Sequence, residues 1–333
     1  MSEKKTVREI VADELYAQKT TDSEIFPFLS GVIRGAGELH FTREGFALEV
    51  RHRDVRLIEE VVDAIENAYG EKLLYDGTDV NVGYAHSFFY SVVVPQNVSG
   101  KLLESAKIVK NKYEFYNEIP EGFLAKARDR KAFLKGLYLS CGSVKVPEEN
   151  DSITSKGYTF ALSLNSDQVR PDIMKLIAKA SKISPDLIKI KGTGSGIYVK
   201  SSEAICEILT AMGCVVSPLA LYDIMAERQL RNKVNREQNS EMGNLQKAVN
   251  ASVKQAEAIA KLKETGAYET LSFELKETCE KRLAFPEMTV TALAAQFNPP
   301  ITKSCINHRL RKIVELAGNA KGKQSAKNKK TKK

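Results

Sequence analysis

The sequence predicts an α+β protein, a duplicated α/β body followed by a separate all-α domain, on three observations. A chain of 333 residues with 43% apolar content exceeds what one core organises, since single cores seldom grow past about 250 residues. A ten-residue pattern recurs at an offset of 105. Residues 221 to 317 read as a helical domain whose last part is two short amphipathic helices.

The recurring pattern is Phe28-Leu29-Ser30-Gly31-Val32-Ile33-Arg34-Gly35-Ala36-Gly37, echoed by Phe133-Leu134-Lys135-Gly136-Leu137-Tyr138-Leu139-Ser140-Cys141-Gly142. Each copy is an apolar helical stretch whose small Gly31 or Gly136 allows close helix approach. Each ends on Gly37 or Gly142, where a helix should stop. A strand-like segment follows in each half, Phe46 to Val50 and Tyr158 to Leu164. Amphipathic helices come next, Val55 to Tyr69 and Arg170 to Ser181. Two such units pack naturally as a pseudo-symmetric pair with the glycine-bearing helices crossing at the centre.

This arrangement resembles the LAGLIDADG homing-endonuclease fold, in which two such helices form the interface and each ends in an acid that holds the catalytic metal. Set against that nine-letter motif, the copies are Leu29 to Gly37 and Leu134 to Gly142. The metal-binding acid at position eight is replaced by Ala36 and Cys141, and the acid at position six by Arg34 and Leu139. Metal-assisted hydrolysis needs carboxylate oxygens to fix hard cations. An alanine and a thiol do not supply them, and Glu38 has no acidic counterpart in the second copy. Nuclease activity, a metal and a cofactor are therefore not expected. Taken alone, the repeat also fits an ordinary duplicated α+β domain without nuclease ancestry.

From Leu221 to Lys263 there is no proline, and the stretch reads as one long helix or two in line. Its polar middle, Arg231 to Asn239, is rich in asparagines, which are poor helix formers, so an irregular segment is an alternative there. That density of Asn and Arg suits phosphate contacts and a solvated connector equally. A helix around Leu271 to Arg282 follows. Val290, Leu293, Ala294 and Phe297 then make a short amphipathic helix, broken by Asn298-Pro299-Pro300. Thr302 can cap a second helix running to about Glu315. Ile306, Leu310 and Ile313 share one face of it. Lys303, Ser304, Asn307, His308 and Arg311 occupy the other. An apolar inside and an outside lined with Lys, Asn, His and Arg is what a helix-turn-helix needs: Arg reads guanine edges, Asn reads adenine, and Lys303, Ser304 and the helix N-terminus hold phosphate.

The run from Asn298 to Lys312, Asn-Pro-Pro-Ile-Thr-Lys-Ser-Cys-Ile-Asn-His-Arg-Leu-Arg-Lys, is similar to the signature of the WhiA family. Arg231 to Arg236 and Asn244 to Ala251 resemble that family's connector, departing from it at Ser240, where a Cys is expected, and at Gly243, where an Ala is. The resemblance spans nearly the whole chain and implies a regulator or nucleoid-associated protein, tied in the family to sporulation in some bacteria and to cell division and chromosome segregation in others.

The net charge is +8, but it is unevenly placed. The first 120 residues carry 20 acids against 14 Lys and Arg, whereas residues 318 to 333 carry seven Lys and no acid. That Gly/Asn/Ser/Lys tail reads as disordered, serving solvation or sequence-independent phosphate attraction. The five cysteines lie far apart with no Cys-x-x-Cys pair, as expected of reduced cytosolic thiols. The longest uncharged run, Val80 to Gly100, is broken by polar residues and Pro95, so no membrane span is expected. Gly192 to Gly196 has glycines of a phosphate loop but sits between two alternating segments, which favours a hairpin turn. Phe88-Phe89-Tyr90 could stack on bases, but its valine neighbours favour a buried strand. The histidines at 40, 52, 86 and 308 show no helical or loop spacing for a shared metal.

The resulting expectation is a first LAGLIDADG-like half over residues 1–125, a second over 126–220, a helical domain over 221–317 with its helix-turn-helix at about 287–317, and a basic tail at 318–333. Thr302, Lys303, Ser304, Asn307, His308, Arg309, Arg311 and Lys312 are the expected DNA-binding residues. Gly31, Ala36, Gly37, Gly136, Cys141 and Gly142 mark the degenerate motifs. The expected function is non-enzymatic binding of double-stranded DNA, in the cytoplasm and at the nucleoid, with another regulatory protein as a further partner. The rivals are an active metal-dependent endonuclease and an interaction scaffold localised by DNA.

Overall fold

Thr6 opens the first helix with a capping box: its Oγ1 accepts from the Glu9 amide at 3.3 Å while the Glu9 carboxylate accepts from the Thr6 amide at 2.7 Å. The computed structural model describes residues 5–42, 45–82, 85–111, 114–147, 157–192 and 196–330. The chain forms two units, Met1–Arg228 and Gln229–Lys333.

In the first unit, α1 (Val7–Tyr16) precedes α2 (Ile25–Ala36), β1 (Gly37–Thr42), β2 (Gly45–His52), α3 (Val55–Tyr69), β3 (Tyr75–Val82), β4 (Ala85–Val94), α4 (Gln96–Ser105), and the small pair β5 (Val109–Asn111) and β6 (Glu114–Phe115). The second half repeats the order with α5 (Ala127–Cys141), β7 (Gly142–Lys145), β8 (Thr159–Leu162), α6 (Arg170–Ser181), β9 (Lys189–Ile190), β10 (Ile197–Val199) and α7 (Ser202–Ala211). The sheets run β1-β2-β4-β3 and β7-β8-β10-β9, the same permutation twice and antiparallel throughout. Each repeat is thus helix, hairpin, helix, hairpin, helix, richer than the helix, strand and helix read from the sequence. Of the further strands, β4, β9 and β10 coincide with the strand segments expected around Phe88 and flanking Gly192 to Gly196, while β1, β3 and β7 are short or largely polar and give little periodic signal.

The motif helices α2 and α5 cross at their glycines. A Cβ on Gly31 would overlap the Phe133 carbonyl oxygen and stand 2.7 Å from the Leu137 amide nitrogen; one on Gly136 would overlap the Phe28 carbonyl oxygen. Both helices end at the second glycine as expected, but for a different reason. Gly37 and Gly142 have φ of −82° and −86°, outside the left-handed region. Glycine is needed there for space, because a Cβ on Gly37 would lie 2.7 Å from the Ile33 carbonyl oxygen. Phe28, Leu29, Phe133, Leu137, Leu48, Val50, Phe160 and Leu162 fill one continuous core between helices and sheets. Within it Lys135 is buried, its Nζ donating to the Gln18 carbonyl at 2.6 Å and paired with the Glu60 carboxylate.

The segments flanking Gly192 to Gly196 pair antiparallel, Ile197 opposite Ile190, as a hairpin requires; residues 193–195 lie outside those described. Phe88, Phe89 and Tyr90 do stand in a strand, but the run is not buried. Successive side chains alternate across the sheet, so Val92 and Val94 enter the core while Val93 is 60% exposed; Phe88 shares the face of Val92 and Val94 but lies nearer the start of the strand and is 49% exposed.

The helix α8 (Val216–Glu264) starts in the first unit and ends in the second. It is continuous through the asparagine-rich stretch, where an irregular segment was the alternative: the Ala, Lys, Gln and Glu around those residues favour helix, and no proline interrupts it past Pro218. In the second unit α9 (Phe273–Ala284), α10 (Val290–Ala294) and α11 (Lys303–Lys330) follow. The last helix continues past the expected end near Glu315 and through most of the stretch read as a disordered tail, since Ala, Lys and Gln are helix formers and no proline stops it. Ile259 and Leu262 of α8 join Leu275, Leu293, Phe297, Ile306, Leu310 and Ile313 in a separate core.

Candidate nucleic-acid interface

Local chemistry sets the start of α11. Thr302 Oγ1 accepts from the Cys305 amide at 3.2 Å, filling one of the unpaired donors of the first turn. Thr289 does the same for α10, accepting from the Ala292 amide at 3.2 Å. Ile306, Leu310, Ile313 and Ala317 recur at three- and four-residue spacing and are buried. That orientation leaves Thr302, Lys303, Ser304, His308, Arg311 and Lys312 exposed and Asn307 half-buried. Exposed cations and a free helix N-terminus on one face suit phosphate, and Asn307 with Arg311 one turn on suits base edges.

One expected DNA-binding residue is placed elsewhere. Arg309 lies at the edge of the buried face, its guanidinium 5.7 Å from the Phe297 ring centroid and its Nη2 3.9 Å from Glu274 Oε2, with the side chain 16% exposed. Its position between the polar and apolar faces, one residue from Leu310, turns it toward α9. Thr302 is likewise occupied by capping.

Sequence reasoning missed what holds the helix pair in place. Arg282 is buried, and its Nη1 donates to the Met288 carbonyl at 2.9 Å, fixing the segment before α10; burial lowers its pKa. Ser252 Oγ donates to the neighbouring Pro286 carbonyl at 2.5 Å. An Arg in the last turn of α9 carried no sign of burial in its spacing.

In the first unit, the ends of the motif helices meet at a cleft of about 590 Å³ lined by Gly35, Ala36, Gly37, Arg51, Ser140 and Asn165 among others. Arg34 Nη2 donates to the Lys107 carbonyl at 2.8 Å, and burial lowers the guanidinium to about 10, still a cation at neutral pH. Burial pushes the Cys141 thiol up to about 12, and its Sγ donates to the Leu137 carbonyl at 3.2 Å. Positions six and eight thus present a cation, a leucine, an alanine and a protonated thiol where the nuclease chemistry would need anions.

The histidines held one surprise. His40 stands with Glu38 and Glu49, one donor atom from each lying within 4.8 Å of the others. Spacing along the chain did not suggest it, because Glu49 arrives through the pairing of β2 with β1.

Residues 26–74 and 130–231 match the model of the WhiA LAGLIDADG-like domain, and residues 234–317 that of the WhiA C-terminal HTH domain. The chain belongs to the WhiA family. A WhiA of Clostridium botulinum, named a probable cell division protein, is 27% identical over 301 residues, covering 88% of this chain and 91% of its own. A protein of the same name from Streptococcus thermophilus is 26% identical over 310 residues, covering 92% and 97%. The crystal structure of full-length WhiA from Thermotoga maritima matches with a TM-score of 0.53 at 19% identity, over 95% of this chain and 99% of that one. The WhiA HTH match takes in all of α9, α10 and the expected reading residues of α11. Among the described residues no helix is long and apolar enough to cross a membrane.

Proposed function

We propose that this protein is a non-enzymatic, sequence-preferring DNA-binding regulator that acts in cell division, chromosome segregation or sporulation through transcription or nucleoid organisation. It works in the cytoplasm at the nucleoid. The observation that carries this reading is α11: a capped helix whose buried stripe of Ile306, Leu310 and Ile313 leaves Lys303, Ser304, His308, Arg311 and Lys312 facing solvent. Lys303, Ser304 and the helix N-terminus hold the backbone, and Asn307 and Arg311 read bases. The cell-division role rests on the names of the relatives. The motif sites argue against cleavage, since Ala36 and Cys141 offer no carboxylate.

The acidic balance of the first 120 residues favours an additional role, in which that half meets a second regulatory protein, because an acidic surface is repelled by phosphate. Mapping where the protein sits on its own genome supplies the preferred site. A mobility-shift titration with that site then tests the reading: Arg311→Ala should weaken binding by about 1 to 3 kcal/mol with the fold intact. Unchanged affinity and unchanged preference would overturn the assignment of that face.

A further inference from the structure

We propose that Glu38, His40 and Glu49 form a binding site for a divalent transition-metal cation of the Zn²⁺ class on the outer face of the first half's sheet. Glu38 and Glu49 are direct cross-strand partners in β1 and β2. His40 lies two residues beyond Glu38, on the same face, because side chains alternate along a strand. The three donor atoms fall within 4.8 Å of one another; ligands about 2.0 to 2.2 Å from one tetrahedral ion stand about 3.5 Å apart, a separation that small side-chain rotations of the exposed Glu38 and His40 reach.

The electrostatics favour a cation there. Like charges directly opposite on paired strands are destabilising, and Glu38 has no ion-pair partner among the described residues. Arg51 Nη2 donates to Glu49 Oε1 at 3.0 Å, which leaves Glu49 Oε2 turned to His40 Nε2 at 3.3 Å. The Glu49 side chain is only 14% exposed, so one ligand is held in place before any metal arrives. One imidazole and two carboxylates make a borderline-to-hard donor set suited to Zn²⁺. Three protein ligands leave a fourth tetrahedral position for water or an anionic oxygen. Because β1 is the edge strand and His40 is exposed, the ion has an open approach. Glu38 lines the same cleft as Ala36 at position eight of the first motif, but all three ligands belong to one half and one sheet and need nothing from the second copy.

The full chain without an affinity tag, stripped with EDTA, should bind one equivalent of Zn²⁺ in a calorimetric titration. His40→Ala and Glu49→Gln should each weaken that binding by at least about tenfold. Zn²⁺ should raise the thermal midpoint of the parent protein and not of His40→Ala. With Co²⁺ as the probe, the absorption spectrum should lack thiolate charge-transfer intensity, placing the ion away from the five cysteines. Since His40 is exposed, its replacement leaves the fold intact, and circular dichroism verifies this. No binding by the stripped protein, binding unchanged in His40→Ala, or a thiolate spectrum would each overturn the proposal.

Discussion

Gly31 of α2 lies directly over the backbone of Phe133 in α5, so close that any β-carbon would overlap the Phe133 carbonyl oxygen. Gly136 stands in the same relation to Phe28, and the two helices share the centre of the first unit's core. Neither obstacle is the end of a flexible side chain, so relief requires the helices to separate. Gly31→Ala and Gly136→Ala should each destabilise the first unit by about 1 to 3 kcal/mol or more. Gly100→Ala, where a β-carbon meets nothing within 4 Å, is the control and should be neutral or slightly stabilising. Urea titrations of the three variants decide it, and equal midpoints would exclude a tight crossing.

Glu14 gathers the first amides of α8: its Oε1 accepts from Val216 N at 2.8 Å and its Oε2 from Ser217 N at 2.9 Å and Ser217 Oγ at 2.6 Å. Burial acts to raise its carboxyl pKa, but those hydrogen bonds outweigh it and hold the group below its ordinary 4.5. A depressed carboxyl contributes stability above its unfolded value, and that contribution is lost as pH falls through the lower folded one. Glu14→Gln should therefore lower the denaturation midpoint near about pH 7, and the gap to the parent should shrink below about pH 4.5. A gap independent of pH would show that the charge plays no part.

Arg309 and Arg311 should separate stability from binding. Arg309→Ala removes a guanidinium packed on Phe297 and near Glu274, and should lower the thermal midpoint. Arg311→Ala, at an exposed position, should leave the midpoint unchanged and weaken DNA binding. Thermal melts and mobility shifts on both variants test the split, and a reversed pattern would reassign the reading face.

DNA cleavage should be absent. Plasmid incubated with the protein and magnesium or manganese should stay intact, because a protonated Cys141 thiol and Ala36 cannot anchor a metal beside the scissile phosphate. Metal-dependent cutting abolished by mutation within either motif would restore the endonuclease reading.

Deleting residues 318–333 removes seven lysines. The salt dependence of DNA affinity should flatten while site preference is kept, as counterion release by the tail is lost. An unaltered salt slope would mean that the tail does not meet DNA.

The sequence alone determined whatever depends on neighbours a few residues away. The α2 and α5 copies, the loss of acids at 36 and 141, the Thr302 cap and the two faces of α11 all follow from spacings of three, four or six along one chain segment. Tertiary structure decided what depends on residues distant in sequence. Only the register of β1 against β2 brings Glu49 to Glu38 and His40. Only the packing of α11 on α9 turns Arg309 toward Glu274, and only the folding of the segment before α10 buries Arg282. The glycines show the division most clearly. Periodicity placed Gly31 and Gly136 on helices, but it took the crossing of those helices to show that each fits against the other's backbone, because steric exclusion depends on where two elements meet and not on either alone.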